Sequence, residues 1–359
     1  MKKCYIIGGL GCSGKTTFAE KLSRELNCRW FKCDDVYFDV GEKLNRTDLI
    51  NLPMIKTWEL DNEVEKVVIE TYKELFGDMN DETLILESGS LYWNSKELEV
   101  VKNLLPDYTF RYLCLMPDYE QWLKNRSHRL QTQFPCPDFL DQNNYYSLCL
   151  EYQTKYLPKH TIIIRDILST DCSLTGGTNY QSDEFSNPKW GVFNFPLDMT
   201  HKSFLDISCN TGVFSKKAFD CGAEVSGIDI SWQVLDKALD LIPQSHFALC
   251  SVEKFIKNIP MVKIFDYVLS SSAFHYYTNR EEIIESISKI TDYFILETPV
   301  LESDKEEIIY QSDFKPNFCA LVSEPLLLKW LKKYFKNVEK IGYTKQPNSS
   351  DRPVFRCTN

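Results

Sequence analysis

At 359 residues the chain exceeds what one compact core usually supports, so two domains are expected. With 43% hydrophobic and 26% charged residues it is neither a disordered nor a fibrous chain. A net charge of −10, with the acidic excess spread over both halves, argues against a broad nucleic-acid or anionic-membrane footprint.

Short apolar strands alternate with amphipathic helical stretches in the first half. "CYIIGG", "RWFKCD", "TLILES", "TFRYLCLM" and "HTIIIRD" read as strands, with helical periodicity near 15–27, 61–77, 118–131 and 142–156. Such alternation implies a parallel sheet with helices on both faces. Residues 168–190 are polar, rich in Gly, Ser and Asn, and aperiodic, which marks a linker. The alternation restarts with "KSFLDIS", "AEVSGIDI", "HFALCS", "FDYVLSS" and "YFILET" as strands. "VEKIGYT" and "PVFRCT", separated by "KQPNSSDR", then suit an antiparallel hairpin.

None of the thirteen cysteines forms a C-x-x-C pair, and several, such as Cys4, Cys114 and Cys250, sit inside apolar runs. There Cys behaves as a small hydrophobe, the usage of a reducing compartment. The apolar run near the N-terminus is too short for a signal peptide, and no stretch approaches the ~20 apolar residues of a membrane span. A cytoplasmic protein is expected.

Residues 9–16, "GLGCSGKT", fit G-x-x-x-x-G-K-[ST] in full, after an apolar strand and opening a helix. In this pattern Gly9, Gly11 and Gly14, with Ser13 and Thr17 inside the cradle, let backbone N–H groups turn toward phosphate oxygens. Lys15 would neutralise the β/γ-phosphates and the Thr16 hydroxyl would ligand Mg²⁺, so ATP and Mg²⁺ are the expected cofactors.

With no N-K-x-D motif for guanine, the first 165 residues resemble the small P-loop kinases, the group of gluconate, shikimate, nucleoside and polynucleotide 5′-hydroxyl kinases. "FKCDDVYF" carries Asp34 and Asp35 where those kinases place a carboxylate that takes the acceptor's hydroxyl proton. "TLILESGS" puts Glu87 at a Walker-B-like or substrate-orienting position, and "LKNRSHRL" offers Arg126 and Arg129 as lid arginines for the transferring phosphate. Tyr37, Trp58 and Tyr92 are candidates for the acceptor pocket. The bland alternatives are a turn cap for the two aspartates and a solvated helix face for the arginines.

"FLDISCNTGVFS" repeats the glycine-turn logic without a lysine, so it is no triphosphate cradle. It resembles motif I of class I S-adenosylmethionine (SAM)-dependent methyltransferases: Asp206, Cys209, Asn210, Thr211 and Gly212 match, while Ser208 replaces the first glycine. The resemblance implies SAM as cofactor, with Asp229 at the end of the next strand taking the ribose hydroxyls and Ser251 on the adenine side. His275, Tyr276, Tyr277 and Arg280 stand where acceptor-facing residues would be, His275 as a base or Arg280 as a cationic clamp; Glu297 ends the following strand. A Rossmann NAD domain is the rival, but this turn lacks G-x-G-x-x-G.

Taken together, these resemblances imply an α/β chain of two domains. A P-loop kinase-like parallel sheet spans 1–167, a linker 168–190, and a Rossmann-like class I methyltransferase sheet with an antiparallel terminal hairpin 191–359. The expected activity is phosphorylation of a hydroxyl on a small molecule or glycan end, coupled to SAM-dependent O-methylation, with the new phosphate as one candidate methyl acceptor. The combination also resembles the bifunctional kinase–methyltransferases that cap O-antigen chains with methyl phosphate. Alternatives are a nucleic-acid end kinase and methylase, and a nucleotide-sensing scaffold with a degenerate second domain.

Overall fold

In this computed structural model, residues 2–46, 62–77, 79–89, 95–131, 140–155, 161–165, 183–259, 262–311, 319–346 and 349–359 are described. The chain divides into two units, Met1–Ile167 and Leu168–Asn359.

In the first unit the elements run β1 (Lys2–Gly9), α1 (Lys15–Leu26), β2 (Arg29–Lys32), α2 (Cys33–Lys43), α3 (Asn62–Phe76), β3 (Thr83–Glu87), α4 (Ser95–Leu104), β4 (Tyr108–Leu115), α5 (Tyr119–Gln131), α6 (Gln142–Lys155) and β5 (Thr161–Ile164). Every strand pairing is parallel, in the order β2-β3-β1-β4-β5. β1 lies at the centre and is apolar on both faces, as a strand covered by helices on both sides must be. The chain leaves β1 for β2, returns to β3, and only then crosses to β4 on the other side of β1. This reversal opens a crevice at the carboxyl end of β1.

Two elements differ from expectation. The strand read through Asp34 stops at Lys32, and a helix starts at Cys33 because Val36, Tyr37 and Val40 recur at helical spacing and bury one face. Asp34 and Asp35 occupy its first turn, where carboxylates favour the helix dipole. Helix α4, unanticipated, buries Glu97 and Val101.

In the second unit the order is α7 (Asp183–Phe193), β6 (Ser203–Ile207), α8 (Val213–Asp220), β7 (Glu224–Asp229), α9 (Trp232–Leu241), β8 (His246–Leu249), α10 (Val252–Asn258), β9 (Tyr267–Ser271), a 3₁₀ turn at Phe274–Tyr276, α11 (Arg280–Ile290), β10 (Tyr293–Glu297), β11 (Val300–Leu301), β12 (Ile308–Gln311), β13 (Cys319–Ser323), α12 (Glu324–Tyr334), β14 (Asn337–Gln346) and β15 (Ser349–Thr358). Its main sheet runs β8-β7-β6-β9-β10-β15-β14. The first five strands are parallel; β15 is antiparallel to β10, and β14 to β15. The switch point lies between β6 and β9. A small side sheet, β11-β13-β12, was not anticipated.

Residues 183–190, expected to be linker, form most of α7 despite Pro188. The reason is aromatic: Trp190 stacks on Phe214 and, with Phe193, joins a cluster that includes Phe195 and Phe204. Among the described residues no helix is long and apolar enough to cross a membrane.

Candidate functional site

In the first unit the glycine loop sits at the carboxyl end of β1. Gly9 has φ +139°, and a Cβ there would lie 2.5 Å from the Leu115 carbonyl oxygen, so only glycine fits between β1 and β4. Gly14 (φ 91°) turns the chain into α1, whose N-terminal N–H groups and dipole face the loop. Lys15 Nζ donates to the carbonyls of Gly9 (3.2 Å) and Leu10 (3.3 Å). Burial lowers its pKa, an effect opposed by Asp34 and Glu87 and reinforced by Arg129. Thr16 Oγ1 donates to Glu87 Oε1 at 2.6 Å, while Glu87 Oε2 and Ser13 Oγ are buried with no hydrogen-bond partner among the described residues. Burial raises the Glu87 pKa against the pull of the Thr16 bond and Lys15. Asp34 accepts from the Gly89 N–H at 3.4 Å. Gly11 and Thr17 are exposed on the same loop and helix start.

The two aspartates part company. Asp34 is within electrostatic reach of Lys15, whereas Asp35, about 100° further round α2, is exposed and lines a shallow groove with Trp30, Asp39 and Glu74. Tyr37 does not line an acceptor pocket. It is 2% exposed and donates to Glu97 Oε2 (2.7 Å), whose other oxygen accepts from Tyr72 (2.6 Å). Trp58 and Tyr92 lie outside the described residues. Arg126 and Arg129 are half-buried on α5, and His128 between them is exposed.

Two residues of this site were missed from the sequence. Trp122 Nε1 donates to the Gly11 carbonyl (2.9 Å), and Asn125 Nδ2 to that of Cys12 (3.0 Å). The available signal was spacing: 122, 125, 126 and 129 share one helix face, so the pair that holds the loop lies on the same face as the two arginines, of which Arg129 is within electrostatic reach of Lys15.

In the second unit the loop after β6 turns through three left-handed residues, Ser208 (φ 60°), Asn210 (φ 50°) and Gly212 (φ 77°), before α8. A Cβ on Gly212 would come within 3.0 Å of Ala238 Cβ. Ser208 tolerates its conformation with a compensating contact: its Oγ lies 3.0 Å from Tyr277 Oη, itself 3.2 Å from Ser270 Oγ. The loop opens onto a cavity of about 360 Å³. Asp229, at the end of β7, accepts from the N–H groups of Asn210 (2.9 Å) and Ser231 (3.0 Å), and burial raises its pKa. Asp206 is buried and accepts from Ser215 Oγ at 2.7 Å; burial pushes it up to about 7 against that bond, with Asp229 adding repulsion. Ser251 caps α10, and Glu253 accepts from Thr278 N and Oγ1, both at 3.1 Å.

The cavity's other wall differs from expectation. His275 is 6% exposed and its Nδ1 has no hydrogen-bond partner among the described residues. Burial, Arg352 and Arg280 lower its pKa to about 3, against Glu297. Tyr276 lines the rim, 4.0 Å ring-to-ring from His275. Arg280 does not face the cavity; it is 4% exposed and donates to the His275 carbonyl at 2.7 Å, holding the 3₁₀ turn. The cations of the lining are instead Lys189 on α7 and Arg352 on β15. Lys189 Nζ lies 3.2 Å from both Ser272 Oγ and Glu297 Oε1. Glu297 is fully buried and also accepts from Ser271, Ser272 and Thr344. Burial opposes its charge, but Lys189, Thr344, Arg352 and Ser272 together hold its pKa below the usual range. Arg352 was invisible from the sequence because only the antiparallel β15 brings it there.

The sequence model of one family, described as a methyltransferase domain, matches residues 199–341. The tRNA U34 carboxymethyltransferase of Ectopseudomonas mendocina (strain ymp) is 28% identical over 173 residues, 44% of this chain and 52% of that protein. The chain thus spans about half the length of that curated relative. Among solved structures, a putative SAM-dependent methyltransferase from Listeria monocytogenes has 18% identity and a TM-score of 0.37, over 48% of this chain and 98% of its own. The bifunctional kinase-methyltransferase WbdD has 19% identity and a TM-score of 0.35, over 53% of this chain and 40% of its own. Residues 199–341, which match that methyltransferase-domain model, hold the second glycine loop and most of its cavity lining.

Proposed function

We propose that this chain is a bifunctional transferase, with an ATP-dependent kinase of a small hydroxyl compound or glycan end in the first unit and a SAM-dependent O-methyltransferase in the second. The observation that carries the methyl-transfer half is the pairing of Asp229, at the carboxyl end of β7, with the N–H of Asn210 in the glycine loop after β6, inside the segment matched by the methyltransferase-domain model. In this reading Asp229 holds the ribose hydroxyls of SAM, the Asn210–Gly212 backbone approaches the cofactor closely, and Ser251 meets the adenine. When bound, SAM supplies a methyl group made electrophilic by its sulfonium.

The kinase half rests on the meeting of Lys15, Thr16, Asp34 and Glu87 around a helix N-terminus. The Thr16 hydroxyl proton is committed to Glu87, which leaves the oxygen lone pairs for Mg²⁺. The unpartnered Glu87 Oε2 and Ser13 Oγ are polar groups that a hydrated metal and a phosphate would satisfy. Lys15 releases two carbonyls to meet the β/γ-phosphates. Asp34 accepts the acceptor's hydroxyl proton, and Arg129 and Arg126 spread the charge of the transferring phosphoryl group.

The test is mass spectrometry of a metabolite extract incubated with the full chain, ATP–Mg²⁺ and SAM. One species gaining a phosphoryl and then a methyl group is the expected outcome; gains on unrelated species would break the coupling. A second reading, modification of a nucleic-acid end, draws on the tRNA-modifying relative. It predicts substrate binding that falls steeply with salt, which the net charge of −10 disfavours.

A further inference from the structure

The cavity that Asp229 lines is also lined by Lys189, His275 and Arg352, which interact with one another or with Glu297. Resting on the reading of the second unit as a SAM-dependent methyltransferase, we infer that Lys189, His275 and Arg352 form an anion subsite, and that the group methylated there is an oxyanion of the acceptor, a phosphate monoester or a carboxylate.

Three observations meet at this wall. Lys189 and Arg352 both line the cavity, with the Glu297 carboxylate behind them as the acid they share. Glu297 is already saturated by Lys189, Ser271, Ser272 and Thr344, so its one negative charge leaves a positive excess in the wall. The acids that line the rest of the cavity are each engaged elsewhere: Asp206 by Ser215, Asp229 by Asn210 and Ser231, Glu253 by Thr278. Finally, two buried polar atoms of this wall, His275 Nδ1 and Arg352 Nε, have no hydrogen-bond partner among the described residues. Buried polar groups left so carry the full loss of their hydration and are normally answered by a ligand or water. A guanidinium and a neutral imidazole N–H are both donors to an oxyanion, and a guanidinium matches phosphate or carboxylate with two parallel N–H groups.

The same wall is poorly suited to a hydroxyl acceptor. Removing a hydroxyl proton near neutral pH calls for a base poised near 7, whereas His275 sits at about 3. With an oxyanion no base is required. Its lone pair forms the O–CH₃ bond as the sulfonium C–S bond breaks, the C–S electrons return to sulfur, and no proton leaves. The sulfonium charge and one negative charge of the acceptor disappear together, so the cations then hold the product less tightly than the substrate. A phosphate monoester is already ionised at pH 7.

The experiment is calorimetric titration of inorganic phosphate, and separately of acetate, into the full chain carrying Lys15→Ala to silence the first loop. It is run with and without S-adenosylhomocysteine. Saturable binding of one anion is expected, weakened at least ~10-fold by Arg352→Gln and much less by Arg352→Lys, while S-adenosylhomocysteine affinity stays within ~2-fold. Tighter phosphate points to a phosphoryl acceptor and tighter acetate to a carboxylate. No binding of either anion, or binding unchanged by Arg352→Gln, overturns the inference. A parallel loss of S-adenosylhomocysteine affinity in that variant also overturns it, by assigning the cations to the cofactor's own carboxylate. If the parent chain binds no S-adenosylhomocysteine at all, the methyltransferase reading fails, while the cofactor-free titrations still read the anion subsite on its own.

Discussion

Ser208 occupies the place where the motif resemblance puts glycine, and it does so in the left-handed region with its hydroxyl against Tyr277. Replacing it by glycine removes roughly 1 kcal/mol of left-handed strain and one hydrogen bond of similar worth, so Ser208→Gly should move the urea midpoint little. Ser208→Val, β-branched at the same φ, should cost ~2 kcal/mol or more. His275 offers a spectroscopic check. Its contribution to stability is full above the usual pKa of 6.5 and drains away as pH falls toward 3, so its ring resonances should not titrate between pH 5 and 8. Asp206 has the opposite sign. With its carboxyl raised to about 7, its favourable contribution is complete below about 4 and is lost as pH rises through 7. Asp206→Asn should therefore gain on the native chain, by on the order of 2–4 kcal/mol, when unfolding is compared at pH 8 and pH 4.5. The sequence made these residues conspicuous by motif position. It did not carry their partners: Ser208 and Tyr277 are 69 residues apart, and Arg352 reaches the cavity wall only through a cross-strand register that no spacing rule encodes.

Among the elements, α5 matters more than its composition suggests. Its stripe of Trp122, Asn125, Arg126 and Arg129 was read only for its arginines, yet the first two fix the carbonyls of the glycine loop. Trp122→Phe and Asn125→Ala should each cost about 1 kcal/mol and speed hydrogen exchange at the amides of residues 10–14. An unchanged exchange rate would remove α5 from the account of the loop. Strands were the most legible elements, because buried parallel strands are continuous apolar runs; helix starts were harder. Cys33 opens α2 directly after β2, with no intervening turn residue to announce it, and so the direction of Asp34 against Asp35 could not be read. Helix α7 was hidden by Pro188 and its polar neighbours, since its stability comes from an aromatic cluster assembled from distant segments.

On the scale of the molecule, two sheets with different strand orders each present a crevice at their own switch point, and each candidate site is assembled within its own unit. Such a division is what the restart of strand–helix alternation after residue 190 leads one to expect. It predicts independent losses. Lys15→Ala should abolish ATP–Mg²⁺ binding and leave S-adenosylhomocysteine binding unaltered, whereas Asp229→Asn should do the reverse, weakening the second ligand ~10-fold or more in calorimetry. Loss of both ligands in either single variant would contradict two separately built sites.

The unpaired cysteines within the strands have a practical consequence. Cys4 and Cys114 lie in the first sheet, Cys357 in the second, and burial pushes all three thiols far above their ordinary range. Only a thiolate alkylates readily, so each stays inert until its own strand is bared to solvent. Iodoacetamide pulses followed by peptide mapping would thus time the opening of each half in the native chain, with no engineered label.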